Sequence, residues 1–243
     1  MKQKQALVLS ALITLLIAFN IYFFSNPYKQ EVIISRVIDG DTFVTESGET
    51  IRLLNINTPE SSRLGYEEAK IFLKQFENKT VLLEPLETDK YSRTLARVYT
   101  PEYLNLRIVE KGLATKFLVN KNELSKFSKA EEKAIKNEQG IWKKSPYFNC
   151  INSQINKEDE FIILKNSCNE INIDSWILRD ESRKEYTFNN IILGEIRLNT
   201  FQGIDNKREV FWGLSQNAWN NDRDTLYLFD KDWNLVHYES YGY

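Results

Sequence analysis

Three short stretches of the chain carry acid, amide and guanidinium groups at spacings that suit chemistry on a phosphate. In "VIDGDTF", Asp39 and Asp41 bracket Gly40 at a chain reversal, where a carboxylate can be turned toward a cation. In "RLLNINTPE", Arg52 opens a run that closes with Asn57, Thr58 and Glu60 around Pro59. In "DKYSR", Asp89 and Arg93 flank Tyr91 just ahead of an apolar alternation. Asp41, the Asn57 amide oxygen and a backbone carbonyl would offer a hard cation an all-oxygen set of ligands. Glu60 could take a proton from water. Arg52 and Arg93 could clamp a phosphate and stabilise the added charge of a five-coordinate transition state. Those are the components of phosphodiester hydrolysis. Each stretch alone also has an ordinary reading, as a turn, a helix entry or a solvated arginine.

The elements around them would have to fold the three stretches together. "VIISRVI", "TFVTE" and "TIRLLNI" are β-branched and apolar runs separated by "DGD" and "ESGE", the pattern of a three-stranded meander. "YEEAKIFLKQF" places Ala69, Phe72, Leu73 and Phe76 on one helical face. "TVLLEPL" and "TLARVYT" follow as two further strands. Three strands, a helix and two strands is the order of a five-stranded OB-type barrel. "YLNLRIVEKG" then predicts a helix stopped by Gly112, and "NELSKFSKAEEKAIKNEQG" another, with Asn122 as its cap and Gly140 at its end.

In their order and spacing, "IDGDTF", "IRLLNINTPE", "DKYSRTLARVY", "RIVEKGLAT" and "NEQGIW" resemble the staphylococcal-nuclease, or thermonuclease, family. The resemblance covers about Val32 to Trp142. It implies an OB-fold barrel that cleaves DNA and RNA with Ca²⁺, generally leaving 3′-phosphates. It implies Asp41 and the Thr58 carbonyl as calcium ligands, Glu60 as general base, and Arg52 and Arg93 as phosphate-binding arginines. Tyr91 falls in the family's substrate-binding segment. Asn57 departs from the pattern, because the family usually has a second aspartate ligand there. An amide adds no formal negative charge, so weaker calcium affinity is expected, which suits a site working at high external calcium. "LATKFLVNK" also lacks the family's paired tyrosines; Phe117 is either a substitute for base stacking or a core residue.

Lys2 and Lys4 precede an apolar run from Ala6 to Phe24, interrupted mainly by Ser10, Thr14 and Asn20. At about 20 residues it is nearer a transmembrane helix than a signal-peptide core. The expectation is an uncleaved signal anchor over residues 1–30 facing outside the cytoplasm, with a cleaved signal or a core helix as alternatives. Cys150 and Cys168 are the only cysteines, which excludes a four-thiolate zinc site. If the chain is exported, a disulfide between them would contribute about 3 kcal/mol by the chain-entropy relation; the alternative is two unpaired thiols.

The charge pattern changes along the chain. Residues 31–147 hold 19 Lys and Arg against 18 Asp and Glu, whereas residues 148–243 hold 10 against 16. Neither part has the basic excess of a strong nonspecific nucleic-acid binder, so a local patch would have to do any binding. From Phe161 onward, short aromatic and β-branched runs alternate with Asn, Asp and Gly turns and show no helical period, which predicts a sandwich. "SWILRDESRKEYTF" and "VFWGLSQNAWNNDRDTLYLFDKDWNLV" resemble a lamin-tail domain, an immunoglobulin-like sandwich that implies binding or attachment rather than chemistry.

The expected architecture is therefore mainly β with α, with a barrel domain over 31–147, a linker over 148–156 and a sandwich over 157–243. "DKDWN" fails the EF-hand pattern, with Leu235 and Tyr241 at the required Gly and Glu positions, and reads as a hairpin turn. Trp176, Trp212 and Trp219 read as sandwich core. The functional expectation is a calcium-dependent nuclease acting on DNA and RNA. Its rivals are a silent nucleic-acid-binding module and an envelope scaffold working through the sandwich.

Overall fold

The computed structural model describes residues 2–25 and 28–243, with side chains at residues 5, 8–18 and 28–243. The first element is helix α1 (Lys2–Ser25). Its described apolar side chains, from Val8 to Ala18, cover only about half of the roughly 20 residues that a membrane span needs. Among the described residues no helix is long and apolar enough to cross a membrane, so the expected transmembrane helix is not shown. The rest of that expected segment lies outside the described side chains.

The meander is present as β1 (Gln30–Val37), β2 (Thr42–Thr45) and β3 (Thr50–Leu53), followed by the short β4 (Ile56–Asn57). Then come α2 (Tyr66–Lys74), β5 (Thr80–Thr88), β6 (Thr94–Tyr99), α3 (Leu104–Glu110), β7 (Thr115–Lys116) and α4 (Leu124–Lys136). Strands β1-β2-β3-β6-β5 close into a barrel, with β1 and β5 antiparallel and β3 and β6 parallel. The inward residues follow the strand period of two: Val81 and Leu83 on β5, Ala96 and Val98 on β6. Pro85, which cannot donate to a ladder, sits where the β5–β6 register slips. Ala69, Phe72 and Leu73 of α2 join this core as predicted.

Asn122 does not cap α4. It lies in a 3₁₀ turn (Lys121–Glu123), and the α-helix begins at Leu124. At the far end, Gly112 and Gly140 pack backbone against backbone. A Cβ on Gly112 would stand 2.0 Å from the Gln139 carbonyl oxygen, and one on Gly140 2.2 Å from the Gly112 carbonyl oxygen.

The remaining strands are β8 (Ile151–Asn156), β9 (Phe161–Asn166), β10 (Ile171–Asn172), β11 (Ile177–Arg179), β12 (Glu185–Thr187), β13 (Ile192–Leu193), β14 (Glu195–Asn199), β15 (Glu209–Phe211), β16 (Asp224–Phe229) and β17 (Leu235–Tyr241). They form two four-stranded sheets, β12-β11-β16-β17 and β15-β14-β9-β8, with β10 and β13 paired separately. Both sheets supply one core, including Ile162, Leu164, Leu198, Leu178, Leu226 and Trp219. Trp176 and Trp219 are buried there. Residues 151–156, expected within a linker, are strand β8, recruited by six registered pairs with β9 despite their Asn and Gln content. Cys150 and Cys168 form a disulfide. Asp230 accepts the backbone N–H groups of Asp232 and Asn234 in the β16–β17 turn, the hairpin reading of "DKDWN".

Strand β16 is buried on both faces. Leu226 and Leu228 point into the sandwich core, while Tyr227 and Phe229 join Ala134, Ile135, Ile141, Trp142 and Leu235 in a second apolar cluster. The second cluster is the seam between barrel and sandwich. Within it Lys116 pairs with Glu131, which also accepts the Tyr227 hydroxyl at 2.9 Å. One sheet face that would meet water in an isolated sandwich is thus packed on the barrel unit.

Candidate nuclease site

The β1–β2 reversal fixes Asp41. Its backbone N–H donates to Asp39 Oδ1 at 3.0 Å, and its carbonyl accepts Leu53 N–H at 2.8 Å. Gly40 is required at the apex, since a Cβ there would lie 2.6 Å from the Ala69 Cβ and 2.9 Å from that of Thr58. Buried Asp41 accepts Thr58 N–H and Oγ1–H on Oδ2 at 2.8 and 2.9 Å, and Thr42 Oγ1–H on Oδ1 at 3.0 Å. Arg52 Nε stands 3.3 Å from the same Oδ1. Asp39 is half-buried, and burial together with the Asp41 charge raises its carboxyl above the ordinary value.

Arg52, on β3 opposite Thr42, is largely enclosed. Nη1 donates to the Leu53 carbonyl at 2.7 Å; Nη2 donates to the Ile56 carbonyl at 2.9 Å and to Asn57 Oδ1 at 2.5 Å. With Nε facing Asp41, one N–H of the five remains uncommitted, on Nη1. Burial draws its pKa down, Asp41 opposes that, and the charges of Arg183 and Arg93 add to the lowering.

Asn57, on β4 beside Thr115 of β7, is engaged at both ends of its amide. The oxygen accepts from Arg52, and Nδ2 donates to the Glu181 carbonyl of the sandwich at 3.1 Å. The next carbonyl, of Thr58, accepts Arg183 Nη1–H at 3.1 Å. The same nitrogen is 2.8 Å from Glu60 Oε1, whose side chain is 64% exposed. Arg63 and Glu185 form a further ion pair across the seam at 2.5 Å.

Arg93 and Tyr91 are placed separately from this network. Arg93 Nε and Nη2 both reach Asp89 Oδ2, at 2.8 and 2.7 Å. Asp89 Oδ1 accepts the backbone N–H groups of Tyr91 and Arg93. Desolvation works against it, but these bonds hold the Asp89 carboxyl below its ordinary value. Tyr91 is exposed, with its ring 5.3 Å from the Arg93 guanidinium. Phe117 is half-buried.

The structure therefore brings Asp41, Arg52, Asn57 and Thr58 into one bonded network, joins Glu60 to it through Arg183, and leaves Arg93 and Tyr91 on a neighbouring turn. Among the described residues no group of three or more His, Cys, Asp or Glu gathers as a metal site. Sequence reasoning missed Glu181 and Arg183 because their partners Asn57, Thr58 and Glu60 are more than a hundred positions away. Their only local signal was the turn "RDESRKE".

The fold is a closed five-stranded barrel with buried acid, amide and arginine groups bonded together at one side. Residues 50–144 match the family model described as "Staphylococcal nuclease homologue". The thermonuclease of Staphylococcus hyicus is 31% identical over 133 residues, covering 49% of this chain and 79% of that protein. An uncharacterized endonuclease of Haemophilus influenzae is 29% identical over 137 residues, 54% of this chain and 76% of the relative. One from Escherichia coli is 36% identical over 75 residues, 29% of this chain and 49% of the relative. The chain belongs to the staphylococcal nuclease family and is a nuclease, a phosphodiesterase acting on nucleic acids. The family match begins after Asp41 and ends at the seam, so no family match accounts for the sandwich.

Proposed function

We propose that the protein is a calcium-dependent endonuclease that hydrolyses DNA and RNA outside the cytoplasm. The observation that carries this reading is Glu60, an exposed carboxylate next to the buried Asp41–Arg52–Thr58 network. Glu60 takes the proton of a water molecule whose oxygen attacks phosphorus. The P–O5′ bond then breaks, the leaving oxygen takes a proton from solvent and Glu60 releases its own to solvent, which leaves a 3′-phosphate and a 5′-hydroxyl. Arg52 offers its remaining N–H to a phosphate oxygen, and Arg93 offers Nη1, which Asp89 does not engage. Such charge-assisted bonds are strongest to the extra negative charge of the transition state. Tyr91, exposed beside Arg93, offers its ring to a base.

The residues present fit a hard cation. Asp39 and Asp41 bracket Gly40 at one reversal, and the Thr58 N–H and hydroxyl on Asp41 Oδ2 bring the Thr58 backbone beside them, an all-oxygen set of the kind a hard cation takes. Asp41, Asp39 and the Thr58 carbonyl would hold it, the carbonyl sharing its oxygen with Arg183. A ligand role for Asn57 would require its oxygen to be shared with Arg52. When bound, Ca²⁺ supplies positive charge to the phosphate oxygens. The Cys150–Cys168 disulfide supports an oxidising, extracytoplasmic setting.

The test is hydrolysis of single-stranded DNA and of RNA by the full chain, from chelator to tens of millimolar Ca²⁺. The proposal expects cleavage that rises with calcium and stops with chelator. No cleavage at any calcium level, with folding verified, would leave a binding module in its place.

A further inference from the structure

We infer that Arg183, supplied by the C-terminal sandwich, is a phosphate-binding residue of the nuclease site. The inference rests on the reading of the barrel site just given. Its starting point is a shortage of donors in the barrel. Arg52 has spent all but one of its N–H groups on carbonyls, Asn57 and Asp41. Arg93 gives two nitrogens to Asp89. A phosphodiester entering this site meets few free donors from the barrel alone.

Arg183 supplies what is missing. Its Nη1 alone contacts Glu60 and the Thr58 carbonyl, and among the described residues its Nε and Nη2 have no hydrogen-bond partner. The guanidinium thus borders the proposed general base with donors to spare for an anion. It lies near enough to Arg52 for their charges to repel, as does Arg93.

The turn that presents Arg183 is organised in advance. Asp180, fully buried between β11 and β12, accepts Ser182 Oγ–H at 2.6 Å, Lys184 N–H at 2.7 Å and Lys184 Nζ at 3.0 Å. Arg183 itself has φ of 74°, a left-handed conformation that a residue with a side chain adopts only when its surroundings impose it. The turn is seated on the barrel by the Asn57 amide on the Glu181 carbonyl and by Leu118 N–H on Glu181 Oε1 at 3.3 Å. An aspartate at position 57 could not donate to that carbonyl. The amide that departs from the family pattern therefore has a structural use, which is to hold the Arg183 turn against the site.

A removable plug would predict a separable seam. Here the seam has an apolar core of Trp142, Tyr227, Phe229 and Leu235 and a buried Lys116–Glu131 pair. Arg183 is a fixed part of the site.

The experiment compares wild type, Arg183→Gln and Arg183→Lys as full chains, with folding checked by thermal unfolding. Binding of a labelled single-stranded deoxyoligonucleotide is measured in chelator across a salt series, and cleavage is measured with calcium. Arg183→Gln should lower the slope of log affinity against log salt by about 0.7, the loss of one phosphate contact on a single strand. Its kcat/KM should fall roughly 10²- to 10³-fold, by analogy with the loss of one donor to a developing charge. Arg183→Lys should keep the slope and recover part of the rate. An unchanged slope would reduce Arg183 to a surface ion pair, and faster cleavage by Arg183→Gln would make it a plug; either overturns the inference. If wild type does not cleave but the slope still falls in Arg183→Gln, Arg183 stands as a phosphate contact and the nuclease reading fails alone.

Discussion

The candidate site has two halves of opposite character. The half made within the barrel, Asp41, Arg52, Asn57 and Thr58, is buried and almost fully bonded to itself. The other half, Glu60, Arg93 and Arg183, is more open and held by ion pairs with donors or acceptors left over. A buried polar group must be satisfied or it costs stability, and once satisfied it is rigid. An exposed group keeps the capacity to meet a substrate. The enclosed half therefore sets geometry, and the open half meets water and phosphate.

The sharpest way to break this contrast is Arg52→Met. It would leave buried Asp41, two carbonyls and the Asn57 oxygen short of donors, at a cost of about 3–5 kcal/mol. A urea midpoint within error of wild type would place Arg52 in the open half instead. Asn57→Asp should have a smaller effect. It removes the donor to the Glu181 carbonyl, at about 1–3 kcal/mol, so amide exchange at Leu118 and Arg183 should quicken while the barrel core stays protected. Unchanged exchange at both positions would detach Asn57 from the seam.

A further break in the contrast concerns the pH dependence of the seam. Burial, helped by the charge of Asp224, pushes the Glu181 carboxyl up to about 7 from its ordinary value of 4.5. The folded protein therefore binds more protons than the unfolded chain between about pH 4.5 and about 7. Glu181's contribution to stability falls as pH rises through that window. Glu181→Gln cannot titrate, so its stability relative to wild type should grow over the same range. Thermal unfolding at several pH values reads the difference, and a constant difference would remove Glu181 from the account.

The barrel was legible because its strands alternate cleanly and turn at "DGD" and "ESGE", and its α2 face repeats at helical spacing. The start of α4 was not, because Asn122 is a good cap by type but lies in the preceding 3₁₀ turn. Strand β8 was hidden for the opposite reason. Its Asn, Ser and Gln residues have weak strand preference, and pairing with β9 decides the matter. The site residues of the barrel stood out by type and spacing, and the oddity of Asn57 by resemblance to the family. Its purpose could not be read, since the Glu181 carbonyl it bonds is 124 positions away. "DTLYLF" carried a partial signal. A strand apolar at alternate and intervening positions must be covered on both faces, and the barrel unit is the second cover.

The most direct test of the division between halves is Glu60→Gln, assayed for both cleavage of single-stranded DNA in calcium and thermal unfolding. An exposed general base should leave the melting temperature essentially where it was and lower the cleavage rate by about 10²- to 10⁴-fold. Undiminished cleavage would contradict the account, because the open half would then hold no reacting group.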